Sequence, residues 1–314
     1  MRVLVTGGCG YKGSVLIPKL LNKGHDVVAF DTMWFGNFLK PHKNLEVIKG
    51  SVIDEKSVPL DNVEGIIHLS SVANDPCGDL NPKLTWETSC LATMKLADNA
   101  VRSKVSRFIF ASSGSVYGLK SEKNVTEDLN LVPLSEYNKT KMVAERALLS
   151  YSDKIKTQIV RPATVCGFSP RMRLDVSVNM LTMQALTNRK ITVLGGKQTR
   201  PNVHIDDITD LYIFLLENPR ITGIFNAGFE NLSIMEIANL ISKKTEAKIE
   251  LKESNDPRSY RIDSSKLLRT GFSPRKTVSD AIDELIVLYK NGKLQDEIKF
   301  YNLDWMKKKV LVKS

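Results

Sequence analysis

The sequence predicts an α/β protein built on a doubly wound parallel sheet of the Rossmann type. Strand-like and helix-like segments alternate through the first half of the chain, and this alternation is typical of a parallel sheet with helices on both faces. The strand segments are short apolar runs, as expected for strands that are covered on both sides. They are Arg2–Thr6, Asp26–Phe30, Leu45–Ile48, Gly65–Leu69, Arg107–Ala111 and Thr157–Val160.

Helical patterns fill the spaces between these strands, and the organisation changes after about residue 165. The predicted helices of the first half are Gly13–Lys23, Leu84–Arg102 and Ser135–Ser150. Loops rich in Arg, Pro and Asn then appear at Ser169–Asp175, Thr199–Asp207 and Ser254–Asp263, with helices at Val176–Asn188, Ser233–Lys243 and Val278–Lys290. We therefore predict a dinucleotide-binding domain over residues 1–165, with later strands returning to its sheet, and a smaller α/β substrate-binding domain over residues 166–314.

Composition excludes several classes of protein. The chain has 314 residues, of which 42% are hydrophobic and 25% charged, as in ordinary globular proteins. Apolar runs fall far short of the roughly 20 residues that span a bilayer. We also expect no signal peptide, because the first residues already read as a strand followed by a glycine-rich turn. The four cysteines are dispersed and form no metal-binding pair, so we expect a cytoplasmic protein without a metal. The net charge of +10 favours an anionic partner, but no nucleic-acid-binding motif is present.

A glycine-rich turn follows the first strand directly. Gly8, Gly10 and Gly13 form a GxGxxG motif between that strand and the next helix. Such a turn lets the backbone and the helix N-terminus approach a pyrophosphate. The second strand ends at Asp31, where an acid would accept hydrogen bonds from the adenosine ribose and disfavour a 2′-phosphate. The pattern predicts that the cofactor is NAD rather than NADP.

A tyrosine and a lysine lie four residues apart on a predicted helix. Tyr137 and Lys141 therefore share one face, and an ammonium beside a phenol is expected to lower the phenol pKa from about 10 toward neutrality. That would make Tyr137 a general base for a substrate hydroxyl. The fifth strand ends in a serine-rich turn, where a hydroxyl of Ser112, Ser113 or Ser115 could reach the reacting oxygen.

Taken together, these motifs resemble the extended short-chain dehydrogenase/reductases, and more narrowly their NAD-dependent nucleotide-sugar epimerase/dehydratase family. The resemblance covers nearly the whole chain. It includes the initial Thr-Gly-Gly-x-Gly-x-x-Gly, the Ser-Ser-Gly-Ser-Val-Tyr-Gly turn and Tyr-x-x-x-Lys. Further matching segments are 68–71, 161–165, 198–207 and 258–267. The loop Ser169–Asp175 locally resembles that of heptose-nucleotide 4-dehydrogenases.

The resemblance implies roles for individual residues. Ser113, Tyr137 and Lys141 would be catalytic, with Lys141 also binding the nicotinamide ribose. The substrate, a nucleoside-diphosphate sugar, would be held by Ser113, Asn179, Arg200 and Arg258, with Arg171 and Arg173 in the heptose-like loop. The cofactor NAD would be bound by Tyr137 and Lys141 together with Gly7, Gly10, Tyr11, Lys12, Gly13, Asp31, Asn37, Ser51, Val52, Leu69, Ser70, Ser71, Ser89 and Pro162.

The same resemblance narrows the reaction. Relatives that eliminate water across C5–C6 carry an Asp-Glu pair where this chain has Gly114 and Ser115, decarboxylases keep a Glu at position 115, and 3,5-epimerases place a Cys there. What remains is oxidation at a ring hydroxyl, most often C4. This implies an epimerase of polysaccharide biosynthesis, or alternatively a net 4-dehydrogenase or 4-ketoreductase, and a homodimer. The other two classes are a non-sugar oxidoreductase and a catalytically silent NAD-binding protein. The arginines assigned to the substrate argue against the first class. The complete catalytic trio of Ser113, Tyr137 and Lys141 argues against the second.

Overall fold

A computed structural model describes residues 1–254 and 259–310 of the chain. Its strands are β1 (Arg2–Thr6), β2 (Asp26–Asp31), β3 (Leu45–Lys49), β4 (Gly65–His68), β5 (Arg107–Ala111), β6 (Lys156–Pro162), β7 (Thr164–Cys166), β8 (Lys190–Leu194), β9 (Thr199–His204), β10 (Gly223–Ala227), β11 (Glu230–Ser233) and β12 (Lys248–Lys252). Its α-helices are α1 (Gly13–Asn22), α2 (Asp75–Gly78), α3 (Pro82–Trp86), α4 (Ala92–Arg102), α5 (Glu136–Leu149), α6 (Ser177–Asn188), α7 (Ile205–Glu217), α8 (Ile234–Thr245), α9 (Ser265–Leu268), α10 (Val278–Lys290) and α11 (Asn302–Trp305).

The predicted fold class is confirmed. Seven strands form one parallel sheet in the order β10-β6-β5-β4-β1-β2-β3. The order reverses next to β1, and in such sheets ligands bind beyond the carboxyl ends of the strands at this point. Apolar clusters cover both faces, one formed largely with α1 and α7 and the other with α4 and α5. This two-sided burial explains why the strands read as continuous apolar runs.

The later part of the chain adds two small sheets, β11-β9-β7 and β12-β8, with a third apolar cluster between them and α6, α8 and α10. Strand β10 returns to the main sheet, although the division of the chain at residue 165 stays a prediction. Every helix in residues 1–254 and 259–310 is too short or too polar to cross a bilayer.

One sequence prediction of local structure was wrong, and another, a helix that the structure confirms, contains an irregular turn. The segment Thr199–Asp207 is not a loop: β9 occupies Thr199–His204, and α7 begins at Ile205, where the His204 side chain accepts from the Asp206 N–H. The predicted helix Leu84–Arg102 is also not uniform, because a π-helical turn at Glu87–Leu91 separates α3 from α4. A π-helical turn changes the direction in which the side chains on either side of it point, relative to a regular α-helix.

Candidate active site

A large cavity opens at the carboxyl edge of the main sheet, beyond β1, β2, β4 and β5. Its volume is about 1040 Å³. This volume is at the upper end of the roughly 300–1,000 Å³ that is usual for ligand pockets. Its lining includes the glycine-rich turn, Asp31, the serine-rich turn, the start of α5 and the loop from Arg171 to Asp175.

The glycine-rich turn forms one end of the cavity and leaves no room for side chains. Gly7 has a φ of +70°, and a Cβ there would lie 2.8 Å from the backbone nitrogen of Ser70. A Cβ on Gly13 would lie 2.3 Å from the carbonyl oxygen of Gly8. Both positions therefore require glycine, and the backbone at the start of α1 can come close to a ligand phosphate. Gly10 lines the same end of the cavity. This cradle fits the pyrophosphate of a dinucleotide.

Asp31 lines the cavity where β2 ends. Its carboxylate accepts hydrogen bonds from the backbone N–H of Met33 at 2.7 Å and of Cys9 at 3.1 Å. Burial raises the pKa of this carboxyl, and the two N–H groups oppose that effect. The side chain is thus fixed beside the glycine-rich turn, in the position that contacts adenosine ribose hydroxyls in dinucleotide-binding folds.

Two side chains of the glycine-rich turn are anchored by distant segments. The Tyr11 hydroxyl donates to the carbonyl oxygen of Gly167 at 2.6 Å. Lys12 Nζ donates to the hydroxyl of Tyr212, on α7, at 3.3 Å. Burial, followed by the nearby charge of Arg173, lowers the pKa of Lys12 to about 8. Both residues line the cavity. Their hydrogen bonds connect the glycine-rich turn to the part of the chain that follows β7.

Most of the other residues assigned to the cofactor also line the cavity, and two do not. Asn37 accepts from the backbone N–H of Leu39 at 2.9 Å and lies outside the lining. Ser89 is fully buried and hydrogen-bonds the hydroxyl of Ser71 at 3.0 Å, so it supports the lining from behind. The neighbour that reaches the cavity is Thr88, within the π-helical turn. The other residues assigned to the cofactor do line the cavity, and they are Ser51, Val52, Leu69, Ser70, Ser71 and Pro162.

The structure brings Ser113, Tyr137 and Lys141 together at the middle of the cavity. Ser113 begins the turn after β5, where its hydroxyl accepts from the Ser115 N–H at 3.2 Å and lies close enough to the phenol of Tyr137 to lower its pKa. Ser135 caps α5 by accepting from the N–H of Asn138 at 3.2 Å, which sets the first turn that carries Tyr137. Lys141 Nζ donates to the carbonyl oxygen of Ala111 at 2.8 Å.

The electrostatics of this trio differ from the sequence prediction. We expected Lys141 to lower the pKa of Tyr137, but burial dominates and raises that pKa to about 12, with the Ser113 hydrogen bond opposing it. Burial also lowers the pKa of Lys141 to about 7, helped by Lys12 and opposed by Glu145. The interior therefore disfavours both the phenolate and the ammonium, although Glu145 partly offsets the effect on Lys141.

A buried ion pair lies directly beneath the trio. Arg161, from β6, binds the carboxylate of Glu145 on α5 through Nε at 3.0 Å and Nη2 at 2.7 Å. Glu145 also accepts from Ser112, and Arg161 donates to Tyr117 at 2.7 Å. The pair ties the serine-rich turn to the helix that carries Tyr137.

The residues assigned to the substrate have different surroundings. Arg173 lines the cavity while paired in a bidentate manner with Asp175, at 2.9 Å for both contacts. Arg200 also lines the cavity, whereas Arg258 lies outside the described residues. Asn179 is fully buried and outside the lining: its amide accepts from the N–H of Gly167 and donates to the carbonyl of Arg173, so it shapes the loop behind the cavity.

Sequence reasoning missed several residues of the lining. Asn74 and Asp75 follow β4; Asn74, at a φ of +75°, donates to Asp175 at 3.1 Å, and Asp75 accepts from Ser135 at 2.8 Å. A non-glycine residue at positive φ is rare outside constrained sites, yet the sequence alone gives no sign of this strain. Asn302, far along the chain, also lines the cavity and could be found only from the tertiary structure.

Comparison with known proteins agrees with this site. A model of the NAD dependent epimerase/dehydratase family matches residues 3–228. The chain is 27% identical to UDP-glucuronic acid decarboxylase 1 of Arabidopsis thaliana, covering 95% of this chain and 72% of that protein. It is 26% identical to UDP-glucose 4-epimerase of Lactobacillus helveticus, covering 90% and 95%.

Solved structures support the same conclusion. UDP-glucuronic acid 4-epimerase from Bacillus cereus, solved with UDP-glucuronic acid and NAD, superposes with a TM-score of 0.80 at 28% identity, covering 92% of this chain and 100% of that one. The family match extends through the glycine-rich turn, Asp31 and the trio, which are the parts that line the cavity. The chain therefore belongs to the NAD dependent epimerase/dehydratase family and is an NAD-dependent enzyme.

Proposed function

We propose that this protein is a nucleotide-sugar epimerase that oxidises a ring hydroxyl, at C4, and returns hydride to the opposite face of the sugar. The observation that carries the proposal is the position of Ser113, Tyr137 and Lys141 in one cavity with the glycine-rich turn and Asp31. A dinucleotide and a sugar nucleotide would lie together in this cavity, as a hydride exchange between cofactor and sugar requires.

The residues at the glycine-rich end fit NAD. The backbone of Gly10 to Gly13 would hold its pyrophosphate and Asp31 its adenosine ribose, with Lys141 on the nicotinamide ribose. NAD supplies a hydride acceptor and donor to the site. The remaining chemistry belongs to the chain itself, which must orient the sugar and move one proton.

Tyr137 takes the proton of the sugar hydroxyl and gives it back after the ring has turned over. The buried phenol needs a nearby cation to ionise near neutral pH, and Lys141, four residues along the same helix face, supplies it. Ser113 lies beside the phenol, whose pKa it lowers, and its hydroxyl would donate a hydrogen bond to the reacting oxygen. Lys141 is held in place by the carbonyl oxygen of Ala111.

We infer that Arg173 and Arg200 bind the diphosphate of the sugar nucleotide. Both line the cavity, and a planar guanidinium pairs well with phosphate oxygens. Arg258 joins them in the proposal by resemblance alone. Ser115 occupies the position at which related decarboxylases keep a Glu, and its hydroxyl is bonded to Ser113 and Asn138. This bonding argues for simple oxidation and re-reduction rather than elimination or decarboxylation.

A net 4-dehydrogenase or 4-ketoreductase is the second candidate. The observation that favours it is the loop from Ser169 to Asp175, which resembles that of heptose-nucleotide 4-dehydrogenases. A released ketosugar, formed with one equivalent of NADH per turnover, would distinguish it from an epimerase.

We also propose that the enzyme works in the cytoplasm as a homodimer, in polysaccharide biosynthesis. The homodimer is supported by Leu91 and Met94, which lie on the helical stretch from α3 to α4 with exposed fractions of 49% and 40%. Large exposed apolar side chains on neighbouring turns are typical of helix faces that pack against a partner.

Replacement of the general base tests the proposal. Tyr137→Phe removes the proton acceptor and keeps the ring, so turnover of UDP-sugars should fall about 10²–10⁴-fold. NAD binding, measured by calorimetry, should persist. Tyr151→Phe, outside the cavity lining, is the matched control and should keep full activity. Full activity of Tyr137→Phe would contradict the assignment.

A further inference from the structure

The C-terminal segment packs onto the loop that follows Asp31. Trp305, on α11, donates from Nε1 to the carbonyl oxygen of Trp34 at 2.7 Å. Leu303 and Met306 join an apolar cluster with Trp34 and Phe35. Residues at the far end of the chain therefore cover the loop at the cofactor end of the cavity. They also lie beyond residue 228, where the family match ends.

Arg171 connects this C-terminal segment to the same loop. Its guanidinium carbon lies 4.0 Å from the centre of the Phe35 ring, and Nη2 donates to Oδ1 of Asn302 at 2.6 Å. Nη1 donates to the carbonyl oxygen of Met172 at 3.0 Å. The side chain is 2% exposed, and Arg171, Phe35 and Asn302 all line the cavity. A stacked and hydrogen-bonded guanidinium is a rigid connection between two segments.

The charge of Arg171 acts on the cofactor end of the cavity. It lowers the pKa of Asp31, against the raising effect of burial. Both of its hydrogen bonds go to neutral oxygens, and its Nε has no hydrogen-bond partner within residues 1–254 and 259–310. The carboxylates of Asp175 and Asp31 act on Arg171 without a hydrogen bond to it, and burial still lowers the pKa of its guanidinium, so a further anion would stabilise the buried charge. A dinucleotide, which carries a diphosphate, would supply that anion.

We propose that Arg171, Phe35 and the segment Asn302–Trp305 form a strap that holds NAD in its site and slows its release. Arg171 thereby acts on the cofactor, rather than on the sugar nucleotide to which resemblance assigned it. NAD leaves only when the stack on Phe35 and the hydrogen bond to Asn302 separate. This proposal rests on the use of NAD by the family, and it does not depend on which carbon of the sugar reacts.

Release of a fluorescent cofactor tests the strap directly. The purified full-length protein is loaded with NADH and mixed rapidly with excess NAD, and the loss of bound NADH fluorescence gives the release rate. Arg171→Met removes the hydrogen bonds of a charged donor, so release should quicken about tenfold. Trp305→Phe keeps the ring and loses one neutral hydrogen bond, so release should quicken about threefold.

Arg269→Met, which removes an exposed arginine on the surface, is the matched control and should leave the release rate unchanged. An unchanged rate in Arg171→Met would overturn the strap. If that variant does not fold, Trp305→Phe decides, and an unchanged rate there would overturn it equally. The measurement contains no sugar, so failure of the strap is distinguishable from failure of the proposed epimerase activity.

Discussion

Lys141 Nζ lies 6.0 Å from the centre of the Tyr137 ring and donates its hydrogen bond to the backbone of β5 at Ala111. The lysine is therefore fixed by the sheet rather than by the tyrosine. It is 2% exposed, and its Nζ also lies 4.7 Å from the centre of the Phe110 ring. A cation held in this way is ready to stabilise a phenolate, but it destabilises the protein when nothing compensates its charge.

The first prediction concerns the stability of the protein without ligands. Burial lowers the pKa of Lys141 to about 7 in the folded state, from 10.5 when exposed. Below pH 7 the lysine is protonated in both the folded and the unfolded state, so the folded protein carries the full cost of the buried ammonium. Between pH 7 and 10.5 the unfolded state binds more protons than the folded state, so the free energy of unfolding rises with pH. Lys141→Met should therefore unfold at a higher temperature than the parent at pH 6.5.

This advantage should shrink as the pH rises toward 10.5, where the ammonium is lost in both states. Thermal unfolding of both proteins at several pH values provides the measurement. Lys43→Met, which changes an exposed lysine, is the control and should show no such trend. A constant difference between Lys141→Met and the parent across this range would contradict the role of the buried charge.

The second prediction concerns the ion pair beneath the site. Glu145→Gln would leave the guanidinium of Arg161 buried without its carboxylate, and breaking a buried pair in this way costs about 3–5 kcal/mol. The free energy of unfolding in urea measures this loss. Asp98→Asn breaks the exposed pair with Arg102 and should cost less than about 1 kcal/mol. Equal losses in the two variants would mean that Arg161 finds another partner.

The third prediction concerns the choice of cofactor. Asp31→Asn keeps the shape of the side chain but loses the negative charge that favours ribose hydroxyls over a 2′-phosphate. We expect the affinity for NAD to fall about tenfold and the preference for NAD over NADP to narrow. Calorimetric titration with each dinucleotide measures both effects. Asp26→Asn, at the other end of the same strand and exposed, should bind like the parent; similar behaviour of Asp31→Asn would refute the assignment.

Local signals explain what the sequence could predict. The glycine-rich turn, Asp31 and the Tyr137–Lys141 pair each depend on residues close together in sequence, and all of them line the cavity. Five of the first six strands were recognisable because burial on both sides makes them largely apolar, whereas the edge strand β3 is only partly buried. Their predicted ends differ from the observed ones by a few residues at most.

Tertiary context explains what the sequence could not predict. Strand β9 contains Arg200, Pro201 and Asn202, which are typical of loops, and it forms only because β7 and β11 pair with it. Ser89 points away from the cavity because the π-helical turn brings Thr88 to the lining. Arg171 reaches Phe35 and Asn302, partners more than a hundred residues away on either side, so no local pattern could indicate its environment.

The fate of the carbon-bound hydrogen of the sugar tests the central proposal most directly. UDP-sugars with a C4 hydroxyl are incubated with the enzyme and NAD in D₂O, and the products are analysed by NMR. The proposed mechanism predicts a C4 epimer that keeps its original carbon-bound hydrogen, because the hydride leaves and returns within the site. Deuterium from the solvent at a ring carbon, or a ketosugar formed with stoichiometric NADH, would contradict it.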